Sequence, residues 1–466
     1  MKNSMSHVAR ALACATLATT LLAQRAFGDG SSGFEAWVNG LARPVAFQSD
    51  GKMVVGGKFS SVNGDARKGL VRLDSTGSVD PAFNPQVDLG HNYDYGIFSL
   101  LSLPEGKFLV GGRFTNMNGF ACKGLARINS DGSTDTNFTS QVSVVSTLIP
   151  QTDGKFIIEA YINDAKYPIH PMLGRIESNG ALDASFFTNL PNSIIKGGLD
   201  TVALQTDGKI LVGGHFPNSE DPLDGASNFH RLNSDGTMDL LFNPALDAVN
   251  VRSVGVQPGG RIIVSVVMNE AAGYRSRILG LHPDGTIDET FAVDASHEWE
   301  LQAVQPDGKL LAASITDHGD PYPPVVRLNV DGTVDSSFHS IPWTHGPLAF
   351  QADGKIITGG GSLNSGGQSF MQLIRLNTDG TPDSLAVLDS LSVKDNGSVQ
   401  LSPLQTGATN LTVLAANTIT LSGNGEWQIL GHPTPNGSNT LEVSDPAAAT
   451  NAPIRFYRVL SRSLLP

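Results

Sequence analysis

The chain is poor in cysteine, in charge and in long apolar runs, and each shortage narrows what it can be. Of its two cysteines, Cys14 lies in an expected N-terminal leader, so the mature chain keeps only Cys122 and forms no internal disulfide. Apolar residues at long helical spacing are missing. No apolar run after the leader reaches the length of a membrane span, so no transmembrane segment is expected. Charged residues make up 16% of the chain, the net charge is −13, and no Lys/Arg cluster offsets it. An acidic surface of this kind repels phosphate backbones, which excludes nucleic acid as the expected partner. The histidines are scattered without zinc-ligand spacing. No serine elbow, phosphate-binding glycine loop or dinucleotide fingerprint survives its context.

What is abundant is glycine, 51 residues in 466, set between many short apolar runs. Asp-Gly, Asn-Gly and Gly-Gly breaking such runs predict an all-β protein. The leader itself is read as a signal peptide over residues 1–28. Lys2 and Arg10 precede an apolar run from Ala11 to Ala23, and Ala26 and Gly28 suit a cut after Gly28. The expected localisation is therefore exported. Cys14 stands one place off for a lipid-attachment site.

One phrase, Gln-x-Asp-Gly-Lys, recurs with its basic residue at Lys52, Lys107, Lys155, Lys209, Arg261, Lys309 and Lys355. Copies two and five are degenerate, reading Leu103-Pro-Glu-Gly-Lys107 and Gln257-Pro-Gly-Gly-Arg261. An apolar strand follows each copy, and the glycine supplies the positive φ of a tight hairpin turn. A second phrase follows, with arginine and aspartate eight residues apart. The pairs are Arg72 and Asp80, Arg127 and Asp135, Arg175 and Asp183, Arg231 and Asp239, Arg327 and Asp335, and Arg375 and Asp383. Copy five keeps Asp288 but has Gly280 in place of arginine. A three-residue loop ending in glycine sets each pair opposite across two strands, so one structural ion pair per unit is expected.

Phenylalanine follows each aspartate at one register: Phe83, Phe138, Phe186, Phe242, Phe291 and Phe338, with Ala386 in copy seven. An additional Phe34 lies 14 residues before Gln48, inside the 13–20 residues that separate each repeat phenylalanine from the next copy. The chain thus starts in mid-unit, and the segment Phe34 to Val45 is expected to complete the last blade and close a ring. Units of about 50 residues suit four-stranded blades. The predicted fold is a seven-bladed β-propeller over residues 29–386, an open β-solenoid being the alternative. Short alternating strands from residue 387 to 466 predict a small C-terminal β-sandwich.

The phrases Gln205-Thr-Asp-Gly-Lys-Ile-Leu-Val-Gly-Gly-His-Phe216 and His230-Arg-Leu-Asn-Ser-Asp-Gly-Thr-Met-Asp239 resemble the delta-60 repeat of exported bacterial proteins. The resemblance spans roughly Phe34 to Ala386 and implies a β-propeller; it transfers no catalytic residue. Gly56-Gly57, Gly111-Gly112 and Gly213-Gly214, with Phe59, Phe114 and Phe216, match it best, whereas copies three, five and six lose the Gly-Gly-x-Phe. The end of the chain, through Arg455-Phe-Tyr-Arg458, resembles C-terminal β-sandwich modules of exported proteins from Verrucomicrobia-like bacteria.

No catalytic residue and no cofactor are expected. Asp131 to Asp135 and Asp331 to Asp335 hold oxygen ligands of the kind calcium takes, but they lack the acidic spacing of an EF-hand and read as turns. His339 to His345, with Asp317 to Tyr322 one copy earlier, form a candidate rim site. The expected function is an exported, non-catalytic binding or structural protein, monomeric, whose partner is an unspecified protein or glycan. The alternative is an extracellular glycan or peptide hydrolase or lyase with its site at the central funnel.

Overall fold

A computed structural model of the chain describes residues 34–383, apart from residues 90–95, 163–171, 217–227, 243, 245, 271–272, 295–296, 315–323, 340, 343–346, 366–367 and 382, together with the strands between 388 and 461. The expected leader, Cys14, Ala386 and most of the candidate rim lie outside the described residues. No described helix is long and apolar enough to cross a membrane.

Copy four shows how the repeat builds a sheet. Gly198–Leu204, Ile210–His215 and Phe229–Leu232 pair antiparallel in that order. Gln205 N donates to Lys209 O at 2.9 Å to close the first hairpin, and Gly208 takes φ +85°. Asn233 N donates to Thr237 O at 2.8 Å to close the second, with Gly236 at φ +93°. Both turns therefore sit at one end of the sheet. The second strands are buried on both faces, which is why they read as unbroken apolar runs such as Met53-Val54-Val55 and Ile210-Leu211-Val212.

The fourth strand is shorter than the sequence leads one to expect. In six copies it is a single bridge after the turn, for example Leu232 with Met238. The next residue is the repeat aspartate. Its carboxylate accepts from the amide two residues on, as Asp239 Oδ1 does from Leu241 N at 3.1 Å, and this turn ends the strand. Copy six pairs a further short strand, Ile341–Pro342, with its third. Copy three adds two short helices, Ala184–Asn189 and Asn192–Lys196, that the sequence reading did not anticipate. Asp183 caps the first by accepting from Ser185 and Phe186 amides.

Successive sheets stack through their apolar faces. The described core includes seven clusters, and each contains one phenylalanine of the repeat register: Phe34, Phe83, Phe138, Phe186, Phe242, Phe291 and Phe338. Fully burying a ring of this size contributes about 1.5–3 kcal/mol. The first strands of neighbouring sheets touch one another, so their edge of each sheet is the inner one. The outer edge carries the third strand and its bridge.

The two ends of the array meet in one sheet. Glu35–Phe47 is a single strand with two partners. Its first half pairs with copy seven, Glu35 opposite Ile374 through Asn39 opposite Phe370. Its second half pairs with copy one, Val38 opposite Val62 through Phe47 opposite Met53. Phe34 is 2% exposed and packs with Val71 of copy one and Ile357 and Leu373 of copy seven. Beyond residue 387 lie two antiparallel sheets. One holds Leu388–Val393, Ser398–Pro403, Leu441–Ser444 and Thr434–Pro435; the other holds Gln428–Gly431, Leu411–Ala416 and Phe456–Ser461.

Candidate functional site: the charged joints and the inner edge

The repeat charges converge at the turn end of each sheet. In copy four, Lys209 Nζ and Arg231 Nε meet Asp239 Oδ2 at 2.7 and 2.8 Å. The same arrangement joins Lys52 and Arg72 to Asp80, Lys107 and Arg127 to Asp135, and Lys155 and Arg175 to Asp183. It recurs as Lys309 and Arg327 on Asp335 and as Lys355 and Arg375 on Asp383. The sequence reading paired arginine with aspartate and missed the lysine. The signal was a spacing: lysine precedes aspartate by 28 residues in copies one, two, three and seven.

Each arginine also reaches the next sheet. Arg72 Nη1 donates to Ser130 O at 2.5 Å and Arg127 Nη1 to Ser178 O at 2.8 Å. Arg175, Arg231 and Arg327 donate likewise to Ser234 O, Pro283 O and Thr378 O. Arg375 Nη1 donates to Ser75 O at 2.9 Å, from the last copy back to the first. Each guanidinium lies over its copy's phenylalanine, 4.4 Å from the ring centroid for Arg231 on Phe242. Arg375 lies 5.7 Å from Phe34, which occupies the place of the missing copy-seven ring.

These carboxylates are fixed in the ionised form. Lys52 bonding holds Asp80 below the usual range against the opposing effect of burial. At Asp239 burial opposes ionisation, and the bonds from Lys209, the Leu241 amide and Arg231 outweigh it. A carboxylate held so low and already bonded to two cations is a poor general base. The arrangement is a joint.

Copy five reaches the same joint by another route. Arg261, where the other copies have lysine, donates from Nε to Asp288 Oδ2 at 2.7 Å and from Nη1 to Val330 O of copy six at 2.8 Å. It also lies 5.6 Å from the Phe291 centroid. One arginine thus does what lysine and arginine do elsewhere, and Phe291 moves into the space at Gly280. A Cβ at residue 280 would stand 2.6 Å from Phe291 Cβ. An open recess of about 640 Å³ lies at this seam, lined by Arg261, His282, Ile287, Glu289, Asp307 and Val330 among others.

The turn loops hold their own acids. Asp131 Oδ1 accepts from Ser133 N at 2.9 Å and Oγ at 2.6 Å, and Asp331 Oδ1 from Thr333 N and Oγ1 at 3.0 and 2.7 Å. Among the described residues no three side chains of metal-binding type converge. His339 Nδ1 lies 3.4 Å from Asp379 O, and His345 and residues 317–322 are outside the described residues.

The Gly-Gly pairs shape the inner edge. A Cβ on Gly56 would meet Ile97 of the next sheet at 2.6 Å, and one on Gly57 would collide with Leu41 O of its own sheet. Opposite these pairs the first strand carries an extra residue. The register skips Phe98 between Ile97 and Ser99, and Asp200 between Leu199 and Thr201. Copies three and five have the same bulge, at Ser146 and Arg252, without the Gly-Gly. In copy one Arg43 and Pro44 together face Gly56.

A ring of sheets stacked face to face, with first strands innermost, is a β-propeller scaffold. Residues 48–83, 103–138, 205–242, 305–338 and 351–385 match a family model described as a domain of unknown function (DUF5122) beta-propeller. Copies three and five fall outside these matches, yet they stand in the ring with the same joints. Among curated proteins no sequence matches the chain. Among solved structures, the chain is similar to the extracellular domain of the B. thetaiotaomicron protein BT4673, at 9% identity and a TM-score of 0.43 over 90% of this chain. That match takes in 53% of the domain, so the chain spans about half its length. The WD40 beta propeller domain of Doa1 is similar at 13% identity and a TM-score of 0.44, over 74% of this chain and 97% of that one.

Proposed function

We propose that the protein is an exported, monomeric, non-catalytic binding or structural protein. In this reading residues 1–28 are a cleaved leader, residues 29–386 form a seven-bladed β-propeller, and residues 387–466 form a β-sandwich used for attachment or display. The seven apolar clusters and the return of Arg375 to Ser75 support a blade count of seven. The observation that carries the functional reading is the fate of the repeated charges. They are neutralised in joints that run from one sheet to the next, which makes them scaffold. The partner is a protein or glycan, and no cofactor is required.

The mature chain, applied to a glycan array and a panel of glycan and peptide substrates, is expected to bind at least one probe and to turn over none. Turnover of any substrate would transfer the protein to the enzyme class, with its site at the central funnel.

A further inference from the structure

The bulges on the first strands of copies one to five place one residue of each at the same distance from the turn, whereas the bulge of copy six falls nearer its turn, at Gln302. In copies one to five this residue stands five positions before the turn: Arg43, Phe98, Ser146, Asp200 and Arg252. The residue before each is apolar and buried: Ala42, Ile97, Val145, Leu199 and Val251 are at most 6% exposed. Arg43, Asp200 and Arg252 are exposed, and Phe98 and Ser146 are half-buried. A bulge turns one side chain out of the face-to-face packing without disturbing the ladder on either side. Because the first strands form the inner edges of the sheets, these side chains make a collar around the ring axis. Arg43 and Phe98, from adjacent copies, touch there, with the guanidinium 5.5 Å from the ring centroid.

The collar differs in kind from the joints. The position before it is apolar and buried in all five copies, whereas the collar position holds cation, aromatic, hydroxyl, anion and cation in turn. The joint charges are bonded to one another, whereas Arg43, Asp200 and Arg252 make no ion pair among the described residues. Ser146 Oγ already donates to Glu159 O at 3.1 Å. Exposed guanidinium groups free of a carboxylate partner suit a planar anion from outside. The half-buried Phe98 ring beside Arg43 offers a flat apolar face of the kind a sugar ring covers. Asp200 repels an acidic peptide, but it accepts hydrogen bonds from hydroxyl groups.

We propose that the collar binds a carboxylate-bearing sugar of the uronate type, with Arg43 and Arg252 on carboxylates, Phe98 under a pyranose ring and Asp200 on hydroxyls. This rests on the reading of the protein as a binding protein and names the site and ligand class. The test is calorimetric titration of the mature chain with a galacturonate oligosaccharide, with the neutral galactose oligomer and an acidic peptide as comparison probes. The galacturonate probe is expected to bind, more weakly as salt rises. Arg43→Ala and Arg252→Ala should each weaken it about tenfold, on the strength of one charge-assisted hydrogen bond. Arg43→Lys should restore only part of the loss, and Lys209→Ala, at a joint, should leave affinity unchanged. Equal binding of the neutral oligomer, or preference for the acidic peptide, would overturn the proposal. A probe from the wider panel that binds the Arg43→Ala, Arg252→Ala double variant as tightly as the parent would overturn the collar and leave the binding reading standing. If no probe in either set binds the parent, both fall.

Discussion

The seam between copies four and five and the seam between copies five and six perform the same task with different residues. At the first, Lys209 and Arg231 share Asp239, and Arg231 continues to Pro283 O. At the second, Arg261 takes both parts, and Gly280 stands where the arginine would be. What stays fixed is the aspartate, the stacked phenylalanine and the cation that crosses to the next turn carbonyl. What moves is the strand that supplies the cation. The joint is kept as a unit where the motif letters differ.

The comparison is broken most directly by removing its fixed member. Asp239→Ala and Asp288→Ala should each cost about 3–5 kcal/mol in denaturant unfolding, because each strands at least one partly buried cation. A loss at only one of the two seams would show that they are not equivalent. Phe34→Ala, at the seam that closes the ring, should cost a similar 3–5 kcal/mol for a ring buried to this degree. Deleting residues 34–45 should lower thermal stability further, since it exposes the edge of copy seven.

Restoring the consensus should do harm. Gly280→Arg supplies the letter found in the other copies, but its Cβ meets Phe291, so overpacking is expected to cost about 1–3 kcal/mol. Thermal unfolding distinguishes this from the gain that motif-matching alone would forecast. Arg261→Lys should cost about 1 kcal/mol, the worth of one hydrogen bond, since lysine keeps the contact to Asp288 and loses the reach to Val330 O. Lys209→Arg in copy four should change stability by less than that.

The smallest difference is one of pH. Thr290 bonding, aided by the Thr290 amide and Arg261 against the effect of burial, lowers Asp288 to about 2. Its unfolded value is about 3.9, so the native state holds its proton less tightly. The stability it contributes is present in full above about pH 4 and is lost as pH falls towards 2. Thr290→Ala should shift that acid limb upward in an unfolding profile measured between pH 2 and 5, while Asp239 in copy four, which has Leu241 at this position, keeps its parent profile.

Much of this was legible in the residues because the repeat states it seven times. The turn glycines, the arginine–aspartate spacing and the phenylalanine register report local geometry, and local geometry is what adjacent residues encode. Phe34 was legible for the same reason, as a repeat letter displaced to the far end of the chain. The lysine was not, because 26 to 30 residues and two strands separate it from its aspartate, and a spacing that drifts between copies is weak beside a motif. The short helices of copy three were hidden for another reason. Asp183-Ala-Ser-Phe186 reads like the aspartate turn of its sister copies, and only its Ser185 and Phe186 amide bonds turn it into a helix cap.

The amino-acid sequence by itself determined the β class, the unit length, the two hairpins in each unit and the place where the chain must meet itself. Those follow from alternation, turn chemistry and periodicity, which act over a few residues. Tertiary structure alone decided that Asp288 is served by Arg261, where the first-strand bulges fall, and that Arg43 meets Phe98. The first joins residues 27 apart across one sheet, and the last joins residues 55 apart that become neighbours only when the apolar faces between two sheets have closed.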